Sequence, residues 1–588
     1  MKKKLKIAAL SILIVFLAAL LLATFYIIWV VRDSVLDDTL LPKESAAAIF
    51  FDIDGGRMTS GKTLVKSEEI PKNLKNAFIA MEDKRFYKHN GFDIRRMAGA
   101  GVNNIKTHRM KEGASTISQQ LIKNTHLSQE KTYKRKFKEI KLATELEKHY
   151  SKDEILTMYL NAIYFGKGIY GAGAAAKRFF DKDVKDLTLA ECATLAGVVK
   201  NPSAYSPLAN AENSSKRKNL VLKLMREQGY INDEEYSSAS AELVRLAETK
   251  VSEQNVSPSA MYLESAESEA LSILGITKNQ LNNLGYKIYT YYDPEVQALL
   301  EKTAAADEMS YPNKSGYRPD ICAVLADNAT GGISAYYSNR YRPENIRRQS
   351  GSVLKPLAVY APALDRGVIT AATPLLDEKT DFSGFSPKNY NEAYYGWTTA
   401  RQAVAKSMNV PAVKVLTYLG VDNSAAFLSR LKITTSDGDK NLALALGSTS
   451  KGISATELLG GYLTLSCGGQ GRRAAYVKSI IKDGEKVYAN DNLNERIISP
   501  ETAYIMTDIL RDTVRCGTAK ALSALGIDVA AKTGTVGSEA GNSDAWCISY
   551  TALHTLLVWH GNGTGAPDRV MSEKETGGSY PAAAAREV

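Results

Sequence analysis

The sequence predicts a multidomain chain: an N-terminal transmembrane helix, then a mainly α domain, then an α/β domain. Three observations carry this reading. Ile7 to Val31 is a run of 25 residues without a charge. From Pro71 onward apolar residues recur at helical spacing, and beyond Leu284 the text turns strand-like at DICAVLADNATGGISAYY. At 588 residues the chain exceeds what one core organises, since domains average about 150 residues.

The amino terminus comes first. Crossing the hydrocarbon layer takes about 20 apolar residues, and a cleaved signal peptide has an apolar core of only about 7 to 15. Residues 7–31 therefore form a signal anchor. Lys2, Lys3, Lys4 and Lys6 precede it and Asp33, Asp37 and Asp38 follow, so the positive-inside rule leaves residues 1–6 in the cytoplasm. Everything after about residue 32 is then outside the cell membrane, with 32–60 as a stalk. The net charge of +10 calls for an anionic partner. This topology selects lipid headgroups or a phosphorylated substrate and leaves no role for nucleic acid. Cys192, Cys322, Cys467, Cys516 and Cys547 are widely spaced, a pattern of scattered thiols with no metal site.

Gly56 to Thr63, GRMTSGKT, matches a phosphate-binding loop in full. That chemistry needs a helix beginning at the lysine, whose first amides hold the phosphates. Here the lysine is followed by TLVKSEEIPKN, β-branched, then acidic, then broken by Pro71. Nucleotide binding is rejected.

In the first folded region Leu74, Ala77, Phe78 and Met81 lie at i, i+3, i+4 and i+7, a buried stripe. Glu82 and Asp83 follow at the helix exit. GASTISQQLIKN then caps a second helix, with Gln119, Gln120 and Lys123 in its first turns. Tyr133 to Tyr150 places Phe137, Ile140 and Leu146 inward, while Lys134, Arg135, Lys136, Lys138 and Lys141 crowd around Glu139. Two carboxylates with cations between them suit sugar transfer: one takes a proton from the attacking hydroxyl, and the cations steady a pyrophosphate leaving group. EDKRFYKHNGFD, GASTISQQLIKN, RKFKE, KDEILTMYLNAIYFGKGIYG and LTLAECATLAGVVKNPSAYSP resemble, in order, the motifs of the family that polymerises peptidoglycan glycan strands. The resemblance implies a lysozyme-like glycosyltransferase domain, set at 61–235, using lipid II and the nascent strand. It makes Glu82 the general base and Glu139 the second acid, beside the pyrophosphate. Asp83, Gln119, Lys123, Arg135 and Lys136 become substrate-binding. A divalent cation, magnesium or manganese, is allowed at this site, and no cofactor is fixed.

In the second region Ser352 stands three residues before Lys355, within reach on one helical face. A serine nucleophile needs a base, and the chain has no histidine between 150 and 553. Ser407-Met408-Asn409 and Lys532-Thr533-Gly534-Thr535 follow at spacings of 55 and 125 residues, completing the ordered trio S-x-x-K, S-x-N, K-T-G known for penicillin-binding proteins. LGYKIYTYYDPEVQALLE, after a polar linker at 236–285, resembles the start of the transpeptidase domain of the bifunctional (class A) members, with TYYD where Thr-Thr-Leu-Asp is usual. That implies an α/β domain at 286–588, an αβα sandwich on an antiparallel sheet. Ser352 is then the acylated nucleophile, Lys355 its base, and Ser407, Asn409 and Lys532 proton-handling groups. Thr533, Gly534 and Thr535 form the strand that binds the donor peptide or a β-lactam, and an acceptor peptide completes the cross-link. The chain stops at TGGSYPAAAAREV, so the family's last helix is expected to be missing. Competing readings are a β-lactam-binding sensor and a β-lactamase-like serine hydrolase.

Overall fold

The computed structural model describes the chain except residues 1, 43–47, 60–63, 97–114, 128–131, 167–168, 248–257, 283, 306–309, 314–315, 391, 492–494, 539–540 and 563–569. The second half of GRMTSGKT and the first two residues of GASTISQQLIKN lie outside the described residues. The first described helix after that loop, Lys72–Glu82, starts only beyond a short 3-10 turn at Ser67–Glu69.

Residues Lys2–Val31 form one helix of 30 residues. Among the described residues no helix is long and apolar enough to cross a membrane; the side chains at 2–9, 12, 16, 19, 20 and 23 lie outside that set.

The chain divides into two units, residues 1–49, 60–253 and 274–287, and residues 50–59, 254–273 and 288–588. The first is mainly helical. Leu74, Ala77 and Phe78 of Lys72–Glu82 are fully buried, so the apolar stripe docks as its spacing requires. Phe78 meets Tyr159 and Phe165 edge-on, and truncating such a ring typically costs about 3–5 kcal/mol. Asp83 ends the helix outside helical geometry. Ile117–His126 begins with Thr116 and Gln119 in a reciprocal capping box, which satisfies two amides the helix cannot pair internally. In Tyr133–His149 the buried face is Glu139, Leu142, Ala143 and Leu146. Phe137 and Ile140, expected inward, are only half-buried. The buried row instead runs through the carboxylate of Glu139.

The second unit is built on a five-stranded sheet ordered Ala530–Ser538, Gly541–Tyr550, His554–Gly561, Asp320–Asp327, Ile333–Ser338. Every neighbouring pair is antiparallel. Alternation along the strands buries Ala531, Cys547, Val558, Ala323 and Ala335 against helices on one face. Trp546 and Trp559, at positions of opposite parity, are buried on the other. One expectation changes here. The segment taken as polar linker contributes helix Pro258–Leu274, whose Tyr262, Ala266 and Ala270 are buried at i, i+4, i+8. Tyr262 donates to Ile333 O at 2.6 Å. At the end of the chain helix Tyr580–Glu587 carries Pro581 in its first turn and buries Ala582, Ala584 and Ala585 in the sheet's core. Eight residues are too few to show helical periodicity in sequence, and small alanines suffice because the sheet supplies the rest of the core.

Candidate active sites

In the first unit, Glu82 sits half-buried at the end of its helix, where the backbone departs and the carboxylate clears the last turn. Gln120 Nε2 donates to Glu82 Oε2 at 2.8 Å, and Tyr159 OH donates to Gln120 Oε1 at 3.2 Å. Arg96 donates to the Glu82 carbonyl. The acid is thus aimed by a relay from a fully buried tyrosine, whose hydroxyl burial holds well above its usual pKa, with Glu82 and Asp83 adding to the effect. Glu139 is buried and takes an ion pair from Lys136, with Arg135 Nη1 at 3.8 Å; Lys136 also donates to Ser115 Oγ at 2.8 Å. Lys123 feels both carboxylates. Burial lowers its pKa, Arg135 and Lys136 add to that, and Glu139 and Glu82 oppose it. The structure therefore brings Glu82, Lys123, Arg135, Lys136 and Glu139 into one electrostatic cluster.

Asp83 and Gln119 stand apart from that cluster. Asp83 is buried, and its Oδ2 accepts from His89 Nε2 at 2.9 Å and from Ile117 N at 3.0 Å, so it ties two segments together from within. Gln119 is buried as the N3 residue of the capping box, with Oε1 accepting from Thr116 N and only Nε2 left without a partner among the described residues. Gln120, which carries the contact to Glu82, was named beside Gln119 in the sequence but given no role there. Its signal was available: Thr-x-x-Gln before an apolar run marks position 119 as the cap.

In the second unit the segment leading to Ser352 is clamped before it turns. Arg348 makes a two-point ion pair with buried Asp544, at 2.6 and 3.2 Å. Trp546 Nε1 donates to Gln349 O, and Gln349 and Thr449 exchange two hydrogen bonds. Gly351 then takes φ +54°, and Gly351–Leu354 forms a 3-10 turn, in which residues i and i+3 eclipse. Ser352 faces a cleft of about 490 Å³. Lys355 is completely buried, with Nζ 2.8 Å from Ser407 O, 3.1 Å from Met408 O and 2.6 Å from Asn409 Oδ1. Burial, and then the like charge of Lys532, hold its pKa well below the ordinary lysine value. Lys532, also fully buried, donates to Ser407 Oγ at 2.8 Å, and burial lowers it to about 7.

Ser407 links the two lysines through its carbonyl and its hydroxyl. It does so at φ +56°, a left-handed conformation that costs a non-glycine residue about 1–3 kcal/mol and persists only where surroundings impose it. Asn409 is oriented from three sides: Lys355 on Oδ1, Lys388 O on Nδ2, and Asn389 Oδ1 on its backbone N–H. Thr533 bonds Thr518 at 2.6 Å, and Thr535 Oγ1 accepts from Gly577 N. At Gly534 a Cβ would stand 2.9 Å from Ser350 O, so glycine lets the strand lie against the Ser352 turn. Ala530–Ser538 is the edge of its sheet, leaving backbone groups for an extended ligand. Asn389, Thr518 and the 576–579 loop also line the cleft; no short motif in the sequence pointed to them.

Two clusters so different in chemistry lie one on each folded unit: carboxylates among cations on the first, and a serine with two buried lysines on the second. Comparison with known proteins agrees at every level. Residues 53–226 match the Transglycosylase family and residues 321–558 the Penicillin binding protein transpeptidase domain. The chain is 36% identical over 595 residues to Penicillin-binding protein 1F of Bacillus subtilis (strain 168), covering 98% of this chain and 82% of that protein. It is 35% identical over 628 residues to Penicillin-binding protein 1A of Clostridium perfringens (strain 13 / Type A), covering 95% and 90%. Penicillin-Binding Protein 1A from Haemophilus influenzae shares the fold, with a TM-score of 0.53 at 20% identity over 92% of this chain and 91% of that one. The chain belongs to the class A penicillin-binding proteins. It is a peptidoglycan glycosyltransferase and a transpeptidase in one polypeptide.

Proposed function

We propose that Glu82 takes the proton from the acceptor sugar's hydroxyl as that oxygen attacks the anomeric carbon of a lipid-linked donor, displacing its pyrophosphate with inversion. Lys123, Arg135 and Lys136 neutralise the departing phosphates, and Glu139 holds those cations in place. The relay Tyr159–Gln120–Glu82 is the observation that carries this assignment, since it fixes one carboxylate oxygen and leaves the other for the substrate. Among the described residues no three His, Cys, Asp or Glu side chains converge. A divalent cation would therefore arrive on the substrate's own phosphates, and no step is assigned to it.

At the second centre Lys355, in its neutral form, accepts the proton of Ser352 as Oγ attacks the donor carbonyl. The Ser407 hydroxyl, hydrogen-bonded to Lys532, relays a proton to the leaving amine. The acyl-serine is then transferred to an amine of a neighbouring strand; a β-lactam acylates the same serine. Lysine serves as base here because burial, and then the like charge of Lys532, hold its pKa well below the ordinary lysine value. The helix Lys2–Val31 anchors the enzyme in the cell membrane, with both catalytic domains outside and lipid II as the membrane-borne substrate. Incubating the purified chain with lipid-linked disaccharide pentapeptide tests the whole reading. Cross-linked glycan is expected. Glycan without cross-links, or neither product, would overturn the acyl-transfer or both assignments.

A further inference from the structure

Beside the K-T-G strand lies a buried acid and base that the mechanism leaves unused. Thr535, Ala545, His560 and Ile321 stand opposite one another on four neighbouring strands, so their side chains share one face of the sheet. His560 interrupts the apolar text of its strand, HTLLVWHG, and is fully buried, as is Glu575. Its Nδ1 lies 2.6 Å from Glu575 Oε1, and Glu575 Oε2 accepts from Tyr311 N at 2.9 Å. Asn542 Nδ2 donates to Glu575 O at 3.0 Å. A buried pair of this kind adds little stability over apolar residues of similar volume, because both groups lose their water. Its effect is therefore sought in the segment that it holds.

That segment runs from Glu575 along the cleft. Thr576, Gly578 and Ser579 line it, and helix Tyr580–Glu587 follows. Gly577 N donates to Thr535 Oγ1 at 3.1 Å. A Cβ at Gly577 would stand 2.2 Å from Trp546 O and 2.6 Å from Gly534 O, and one at Gly578 would stand 2.4 Å from Thr518 O. Residues 575–578 thus form a strap laid against the K-T-G strand, fastened to His560 at one end and to Thr535 at the other. An N–H can only donate, so the Thr535 hydroxyl is held as its acceptor and keeps its own proton for the occupant of the cleft. We propose that Glu575 and His560 are positioning residues for acylation of Ser352. Through the strap and the Gly577 N–H they fix the Thr535 hydroxyl as a hydrogen-bond donor to the carboxylate of the acylating molecule. This rests on the reading of Ser352 as the acylated nucleophile.

The test is a double-mutant cycle on the purified full chain, read as the second-order rate of acylation by a labelled penicillin per penicillin-titratable site. Glu575→Leu should slow acylation by about 10-fold, the lower end for a hydrogen bond to a charged group. Thr535→Val, which removes the hydroxyl itself, should slow it at least as much. Joined in one chain, the two changes should cost no more than Thr535→Val alone, because the strap acts through that hydroxyl. His560→Leu should repeat this pattern. A pair that merely stabilised the fold would give effects that multiply. Multiplying effects, or an unchanged rate in any single variant, overturn the proposal while leaving the Ser352 assignment intact. Loss of titratable sites in both Glu575→Leu and His560→Leu would make the pair a folding element and overturn it as well. Absence of titratable sites in the unaltered chain overturns the Ser352 assignment and this one together.

Discussion

Two buried lysines, Lys355 and Lys532, stand at the proposed acyl-transfer centre, and burial gives their response to pH a definite direction. Lys532 has its pKa lowered to about 7 by burial, against about 10.4 in an unfolded chain. Between those values the unfolded chain binds more protons than the folded one, so this lysine's destabilising effect is full below about pH 7 and is relieved as pH rises toward 10. Its catalytic consequence runs the other way. If the Lys532 ammonium meets the donor carboxylate, the second-order rate of penicillin acylation should fall as pH rises through about 7. A rate constant that stays level from pH 6 to 9 would remove that role from Lys532. At Lys355, replacement by alanine should slow acylation by about 10²- to 10⁴-fold, the usual size of a lost general base, as followed by stopped-flow labelling; Ser352→Ala should abolish labelling.

At the scale of elements, the site depends on close backbone approach more than on side-chain reach. Gly447 has φ +77°, and a Cβ there would lie 2.0 Å from Gly351 O, one residue before the nucleophile. Gly447→Ala should therefore displace the 3-10 turn, destabilising the second unit by about 1–3 kcal/mol from overpacking and reducing the penicillin-titratable fraction. A variant with unchanged unfolding midpoint and full titration would show that the two loops have room to move. Helix Ile117–His126 offers a contrast between adjacent glutamines. Gln120→Ala removes a hydrogen bond to the Glu82 carboxylate and should lower glycan polymerisation with little change in thermal stability. Gln119→Ala removes a buried cap, costing about 0.5–2 kcal/mol, and should show itself first in the unfolding midpoint.

For the whole molecule, two units with separate cores should tolerate each other's point mutations. Glu82→Gln preserves shape and removes the basic charge, so polymerisation should fall to background while penicillin labelling of the purified protein stays near normal. Ser352→Ala should still make long glycan, without cross-links. Loss of labelling in a folded Glu82→Gln protein would mean that the units are coupled. Membrane anchorage is tested separately: protease added outside intact spheroplasts should digest nearly all of the chain and spare a fragment of about the length of residues 7–31. Protection of the bulk would reverse the topology.

The residues proposed for catalysis could be read before any fold was known. Glu82, Ser352, Lys355 and Lys532 were legible because each lies in a motif whose order and spacing survive folding, and because the absence of a central histidine left lysine as the available base. The stripe through Leu74 and Phe78 and the strands from Asp320 were legible by period. The remainder was settled by folding, where distant segments meet. Asp83 turned inward to His89 because a buried amide at Ile117 needed an acceptor. Glu139 joined the buried face because Arg135 and Lys136 follow it there. The Pro258–Leu274 helix docked through Tyr262, Ala266 and Ala270, in a segment read as a polar linker. The Tyr580–Glu587 helix is held by alanines that mean nothing until a sheet stands beneath them. Local propensity and motif spacing are properties of neighbouring residues, whereas burial and partnership depend on contacts hundreds of positions apart, and those exist only in the folded chain.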